Sequence, residues 1–428
     1  MNPHPPKPPT ARAANHGPHP SLSLPEPLRG AQPGTWAHNT IVVDGEDQSR
    51  IRVLSENDFP PEATSNVERL IEEIPAAPIR PLTDTTAPHA AGWKTYMAPH
   101  LGQNWLQVPW FLAEFYFYHR LLEASGYFKP GPTARLDPFA RQKERGLHTS
   151  LAAIDALSNA VSHYLTPPLR PRDAVHALLT ASLWGNRADL SIWPAGEGGH
   201  APPVDSTAQE QSFLLVNHAA AVTQRLLDAA APHRVDVLID NAGFELVSDL
   251  ALADYLLSSG TLLAVHFHLK AQPTFVSDAM PKDVRAAVQF LAAAANPHTR
   301  ALGQRLQRHL SRGRLRLREH LFWISPLAGW QMPHSLRQTL SQARLVISKG
   351  DAHYRRLLGD RRWPFTTPFA DIADYVPAPL AALRTLKSEL AAGLQATQIA
   401  ALNQQHPHWL TNGRWGVIQF VEPTQTQP

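Results

Sequence analysis

Three aspartates define the chemistry available to this sequence. Asp240, Asp278 and Asp351 each stand at or just beyond the end of a short apolar run, and in an open parallel sheet that edge is where ligands bind. A single Asp there more often caps the following helix by accepting a hydrogen bond from an unpaired N–H; three in register point instead to a site. Asn241 places an amide oxygen beside Asp240. With Asp278 added, the set is oxygen-rich, doubly negative and suited to a hard divalent cation such as Mg²⁺ or Mn²⁺. A cation held there would bind a phosphate. Cationic side chains follow along the chain: Lys349 directly before Gly350 and Asp351, Arg355 after them, then Arg384 and Lys387. Phosphoryl transfer needs such charges, because its negative charge sits on peripheral oxygens.

The elements that must position these residues are legible as a change of hydrophobic period. Residues 235–239 form a short β-branched run, ending at Asp240 and Asn241 and followed by a helical pattern to Leu257: strand, turn, helix. A second run at 262–269 leads into a loop with Pro273 and Asp278, and a third at 345–347 follows a helix starting near Ser335. Strands alternating with helices predict a parallel α/β sheet. Before residue 230 the pattern is helical. Val67, Leu70 and Ile71 recur at helix spacing, residues 110–122 are apolar nearly all round and read as a buried helix, and 149–164, 173–184 and 208–230 continue the style. A Pro-rich stretch at 167–171 and a Gly-rich one at 196–199 separate them. Residues 1–35 hold ten of the 40 prolines and read as a disordered or polyproline-like tail. The expected organisation is therefore a tail at 1–35, a mostly helical domain at 36–230 and an α/β metal-binding catalytic domain at 231–428.

The ordered segments resemble a known family. Asp240-Asn241-Ala242-Gly243-Phe244-Glu245-Leu246-Val247-Ser248-Asp249-Leu250, Phe275-Val276-Ser277-Asp278, Lys349-Gly350-Asp351 with Tyr354-Arg355, and Arg384-Thr385-Leu386-Lys387 look like the damage-control phosphatases, in the branch marked by an RTxK signature and also named for a proposed acidic-residue methyltransferase. Order and spacing are similar from about residue 95 to 422, including Pro109-Trp110 and Trp184-Gly185-Asn186-Arg187 with Asp189-Leu190-Ser191. The resemblance implies a three-layer α/β/α Rossmann-like domain preceded by a mostly helical domain. It implies a metal-dependent phosphatase acting on sugar phosphates such as fructose 1-phosphate and fructose 6-phosphate. The metal would be Mn²⁺ first, with Mg²⁺, Co²⁺ or Ni²⁺ as alternatives. Asp240, Asn241 and Asp278 would ligate it, Lys349 would take part in catalysis, Asp351, His353, Tyr354, Arg355 and Arg384 would face the substrate, and Lys387 would bind its phosphate. The segment Asp351-Ala352-His353-Tyr354-Arg355 departs from the family's common Leu-Asn before the Tyr. Water on the metal and the Asp240 carboxylate are both competent nucleophiles in such a site.

Other features narrow the reading. Glu245, in the first turns of its helix, fits either helix-dipole stabilisation or a polarising carboxylate at the site. His266 and His268, at i and i+2, share one strand face but lack a third nitrogen ligand, which favours core histidines. Arg305, Arg308, Arg312, Arg314, Arg316 and Arg318 lack interleaved aromatics before Phe322, so they read as a solvated basic face rather than a nucleic-acid surface. The net charge of +3 comes from 39 basic against 36 acidic residues, which gives no ground for a nucleic-acid partner. Without cysteine, thiolate metal sites and cysteine nucleophiles are excluded. No apolar run reaches the roughly 18–20 residues of a membrane-spanning helix, so a soluble cytoplasmic enzyme with a small phosphorylated metabolite as partner is expected. Two other functions compete: protein carboxyl methylation from S-adenosylmethionine, which the lack of a Gly-rich turn after a strand disfavours, and a non-catalytic sugar-phosphate sensor.

Overall fold

The computed structural model describes residues 17–19, 21–30, 49–74, 76–85, 87, 89–185, 212–230 and 233–423. Its centre is a seven-stranded sheet of β1 (Leu214–Asn217), β2 (Arg234–Leu238), β3 (Ala264–Leu269), β4 (Leu315–Glu319), β5 (Leu345–Lys349), β6 (Leu380–Thr385) and β7 (Gly416–Val421), in the order β1-β7-β6-β5-β2-β3-β4. Strands β2 to β6 run parallel; β7 is antiparallel to β6, and β1 lies parallel to β7. Central strands β5 and β6 are buried along their whole length. Covered on both faces, they need continuous apolar runs rather than alternation.

The chain lays β2, β3 and β4 side by side in one direction, then returns to place β5 on the other side of β2. That reversal opens a crevice between β2 and β5 at their C-terminal ends, the place where open α/β sheets bind ligands. Leu238 pairs with Ser348, so Asp240 and Gly350, each two residues further on, emerge side by side.

Helices cover both faces. The Phe244–Ser258 helix is buried through Leu257 and shares a core with the Leu151–Tyr164 and Pro171–Trp184 helices, the Pro297–Ser311 helix and one sheet face. The opposite core joins Trp93, Trp105 and the aromatic Trp110–Ala124 helix to Tyr354, Leu357 and Trp323. The result is an α/β/α arrangement behind a largely helical N-terminal part. The N-terminal helices thus contribute to both cores.

Several elements differ from the sequence reading. Within 208–230, read as helix, residues 214–217 form β1, with Ala219–Leu227 helical after it; a short apolar run has no period of its own, and pairing with β7 decides it. The Arg-rich segment contains β4, where Leu315 and Leu317 alternate with exposed Arg316 and Arg318. The Gly-rich stretch at 196–199 and most of the Pro-rich tail lie outside the described residues. Part of that tail is packed. Leu28 is buried in the aromatic core, its N–H donates to the Asp360 carbonyl at 2.9 Å, its carbonyl accepts from Trp110 N–H at 2.9 Å, and Arg29 donates to the Gln107 carbonyl. Prolines flanking one apolar anchor made the segment look unable to pack. Leu28→Ala should cost about 2–5 kcal/mol, the usual range for a buried Leu, seen as a lowered denaturation midpoint.

Candidate active site

The loops after β2 and β3 are joined by main chain. Asn241 and Asp278 form an isolated antiparallel bridge; Ala279 N–H donates to the Asp240 carbonyl at 2.8 Å, and Ala242 N–H to the Ser277 carbonyl at 2.7 Å. The second loop is strained: Phe275 and Val276 hold φ of +48° and +63°, a region costly for a β-branched residue. Packing of the Phe275 ring on Phe115 and Tyr118, at 4.6 and 5.4 Å, holds it there. The strained loop delivers Asp278 beside Asp240.

Four carboxylates and two ammonium groups converge here. Asn241 Nδ2 donates to Asp240 Oδ2 at 2.9 Å and Glu245 Oε2 at 2.8 Å, while Asn241 Oδ1 accepts from Ser277 Oγ at 2.5 Å. Lys270 Nζ lies 2.9 Å from Asp278 Oδ2. Lys349 Nζ donates to the Ser182 carbonyl at 2.7 Å, Asp249 Oδ1 at 2.8 Å and Glu245 Oε1 at 3.3 Å, and Ser182 Oγ donates to Asp249 Oδ1 at 2.6 Å. All six charged groups are buried. Ionised Asp240, Glu245, Asp249 and Asp278 against Lys270 and Lys349 leave two negative charges uncompensated, the charge of one divalent cation.

The protonation equilibria record that deficit. Burial pushes the Asp240 carboxyl well above the usual range, and Asp278 and Glu245 add repulsion that Lys270 and Lys349 only partly offset. Burial also raises Asp278 against the pull of Lys270, and raises Asp249 to about 6 against that of Lys349. Burial lowers Lys349, yet Asp249 and Glu245 outweigh it and its pKa rises.

The donor set fits a hard cation in type and charge, with one rearrangement. Among the described residues no group of three His, Cys, Asp or Glu has metal-holding geometry; the third donor here is an amide. Asn241 turns its NH₂ rather than its oxygen toward the carboxylates, so ligation through Oδ1 requires a rotated amide.

Gly350 closes the crevice. It opens the Gly350–Leu357 helix with φ of +76°, and a Cβ on it would fall 1.8 Å from Asp240 Oδ2. Gly350→Ala should therefore displace Asp240. We expect a loss of activity of about a hundredfold, the scale of a 1 Å misplacement, with the fold retained by circular dichroism.

The residues expected to face the substrate divide by exposure. Asp351 is half-buried and accepts from Arg384 Nε at 2.8 Å and Ser388 Oγ at 2.9 Å; Arg384 lies 4.5 Å from the centre of the Tyr354 ring, whose hydroxyl donates to Gln419 Oε1 at 2.8 Å. Arg355 is buried between Asp360, Glu114 and the face of Trp110. His353 is buried as well, with Nε2 3.1 Å from the Ile239 carbonyl and 3.3 Å from Lys270 Nζ; burial and the charges of Lys270 and Arg356 hold its pKa well below the ordinary value. Lys387, just past β6, is half-buried and has no ion pair with any described residue. Asn241, Ser277, Asp351 and Lys387 are half-buried rather than buried. Asn186, Arg187, Asp189, Leu190 and Ser191 lie outside the described residues.

Comparison with known proteins follows the same span. The model of the damage-control phosphatase ARMT1-like domain matches residues 49–402. The chain belongs to this damage-control phosphatase family. Damage-control phosphatase ARMT1 of Danio rerio is 35% identical over 391 residues, covering 85% of this chain and 86% of its own. The proteins of the same name from Mus musculus and Homo sapiens are 36% and 33% identical over 339 and 337 residues, each covering 75% of this chain and 76% of its own.

Every carboxylate and lysine of the cluster falls inside the span matched by the damage-control phosphatase model. Three of the participants were given no role from sequence. Lys270 is the first residue past β3, and a lone charge ending an apolar run was its signal. Asp249 stands four residues after Glu245, hence on the same helix face. Ser182 enters through its carbonyl, which no side-chain pattern reveals.

Proposed function

We propose that this member of the damage-control phosphatase family is a metal-dependent phosphomonoesterase of the RTxK branch, acting in the cytoplasm on a small sugar phosphate such as fructose 1-phosphate or fructose 6-phosphate. The observation that carries the proposal is the charge deficit at the β2–β5 crevice, with Lys387 half-buried just past β6 and without an ion pair among the described residues. Asp240, Asn241 and Asp278 would hold the cation, Mn²⁺ first and Mg²⁺, Co²⁺ or Ni²⁺ as alternatives. When bound, it would supply the Lewis-acid charge that neutralises phosphate oxygens.

The chain's own groups do the rest. Lys387 binds a peripheral phosphate oxygen. Lys349, with three acceptors around it, holds Glu245 and Asp249 in place and offsets their charge. Glu245 fixes the Asn241 amide. Asp351, oriented by Arg384 and Ser388, accepts from a sugar hydroxyl at the rim. His353, Tyr354 and Arg355 are buried side chains of the Gly350–Leu357 helix itself and anchor it, so their effect on substrate is through Asp351 and Gly350. Burial of the cluster excludes bulk water from the charged groups and strengthens each interaction.

Phosphate release from a panel of sugar phosphates, after EDTA treatment and again after adding back each metal, tests the proposal. The expected result is loss on chelation and recovery with Mn²⁺. Turnover unchanged by exhaustive chelation would overturn the metal assignment, and binding of fructose 1-phosphate without phosphate release would identify a sensor.

A further inference from the structure

We infer a second, non-catalytic surface: the free edge of β4 and the groove beside it form a docking site for an extended peptide that alternates apolar and acidic residues. β4 ends the sheet, with β3 on one side and no described strand on the other. Val265 N–H donates to the Arg314 carbonyl at 2.8 Å. By the two-residue period of a strand, the backbone groups of Arg316 and Arg318 turn to β3 and those of Leu315 and Leu317 turn to the open side. An unpaired row of this kind accepts an added strand.

A groove of about 620 Å³ runs along that edge, bounded by the Pro281–Ala292 and Pro297–Ser311 helices. Val288, Leu310 and Leu317 give it an apolar wall, while Arg285, Arg316 and Arg318 line it with positive charge and, among the described residues, no acidic side chain does. The charge selects the occupant. Arginines on an edge also guard against unwanted pairing, and a second copy of β4 would set Arg against Arg. An acidic strand reverses the sign of that interaction. Alternate side chains of an added strand point to opposite faces, so one set would meet the apolar wall and the other Arg316 and Arg318. Among the described residues no aromatic side chain lines the groove, which removes the stacking platform a single-stranded nucleic acid would use.

The full chain should be titrated against a labelled peptide of about seven residues alternating Val and Glu, the length of an ordinary strand, read by fluorescence anisotropy. Controls are the same residues in two blocks, a Val–Lys alternation and a single-stranded oligonucleotide. We expect saturable binding of the Val–Glu alternation alone, weakened at least about tenfold by Arg318→Glu, the loss of one charge-assisted contact. Leu317→Pro removes an outward N–H while sparing the pairing with β3 and should weaken binding similarly; its melting curve checks the fold, and Arg318→Glu decides the matter if it unfolds. Equal binding of the blocked peptide, preferential binding of the oligonucleotide, or an affinity unchanged by Arg318→Glu would overturn the inference. Phosphatase activity of both variants should equal that of the wild type, because the groove lies apart from the β2–β5 crevice.

Discussion

Asp240→Asn should abolish phosphate release while leaving the metal-free protein at least as stable as the wild type. Removing a preorganised electrostatic group costs on the order of 10²–10³ in turnover, and a substitution that also removes a metal ligand should reach the upper end or beyond. The stability effect has the opposite sign to that of most buried substitutions. Asp240 is buried among Asp278, Glu245 and their two lysines, and its pKa is raised well above the usual range, so the ionised form is disfavoured by folding. A carboxyl with a folded pKa above its unfolded value binds more protons in the folded state. Its stabilising contribution is complete below the unfolded pKa and is lost as pH rises through the folded one. Asp249, with a folded value of about 6, places part of that loss between about 4 and 6. Thermal melting of metal-free wild type should show midpoints that fall across this window, Asp240→Asn should flatten the fall, and saturating Mn²⁺ should raise the wild-type midpoint by linkage but not that of the variant. A variant that melts far below wild type at every pH would show that Asp240 is chiefly a structural residue. Turnover equal to wild type would remove it from the metal site.

What the sequence reveals of the site follows from where its charges lie. Asp240 and Lys349 were visible because a charge closes an apolar strand, and such boundaries survive in one dimension. Asp278 was found the same way, although a nine-residue separation from β3 hides that a strained turn at Phe275 and Val276 brings it back. The order of strands is not a property of any local pattern; the reversal that sets β5 beside β2 is fixed by long-range packing, and with it the nearness of Gly350 to Asp240. Lys270 and Asp249 were assigned no role because each, taken singly, resembles an ordinary helix or loop charge. Their meaning comes from burial together. β4 was read as a basic face for a related reason: three of its five residues are charged, and only the packing of Leu315 and Leu317 on the adjoining helices reveals a strand. His353 was assigned to the sugar side from its place in a motif, whereas the helix geometry turns it inward toward Lys270 and the Ile239 carbonyl.

The cations of the site differ in what they are free to do, and Lys387 carries the sharpest test. Lys349 already faces three acceptors, Lys270 pairs with Asp278, Arg384 with Asp351, and Arg355 with Glu114 and Asp360. A phosphate arriving at these four would have to break an existing contact. Lys387 has no such partner among the described residues, sits half-buried after β6 on the same sheet edge, and can therefore give its full charge to an incoming anion. Lys387→Ala should lower kcat/KM by about 2.7–4 kcal/mol of transition-state stabilisation, the scale for one preorganised donor, and by a similar factor for every phosphomonoester, since the contact is to the phosphate rather than the sugar. Lys387→Arg should restore only part of the loss, because a planar guanidinium does not reproduce the position of a compact ammonium. Asp351→Asn should instead change the ranking among sugars, because it alters an acceptor at the sugar side while its partners Arg384 and Ser388 remain. Kinetics across several sugar phosphates separate the two roles. A Lys387→Ala defect confined to one sugar, or full activity with Lys387→Ala, would move phosphate recognition to another cation and withdraw the role given to this one.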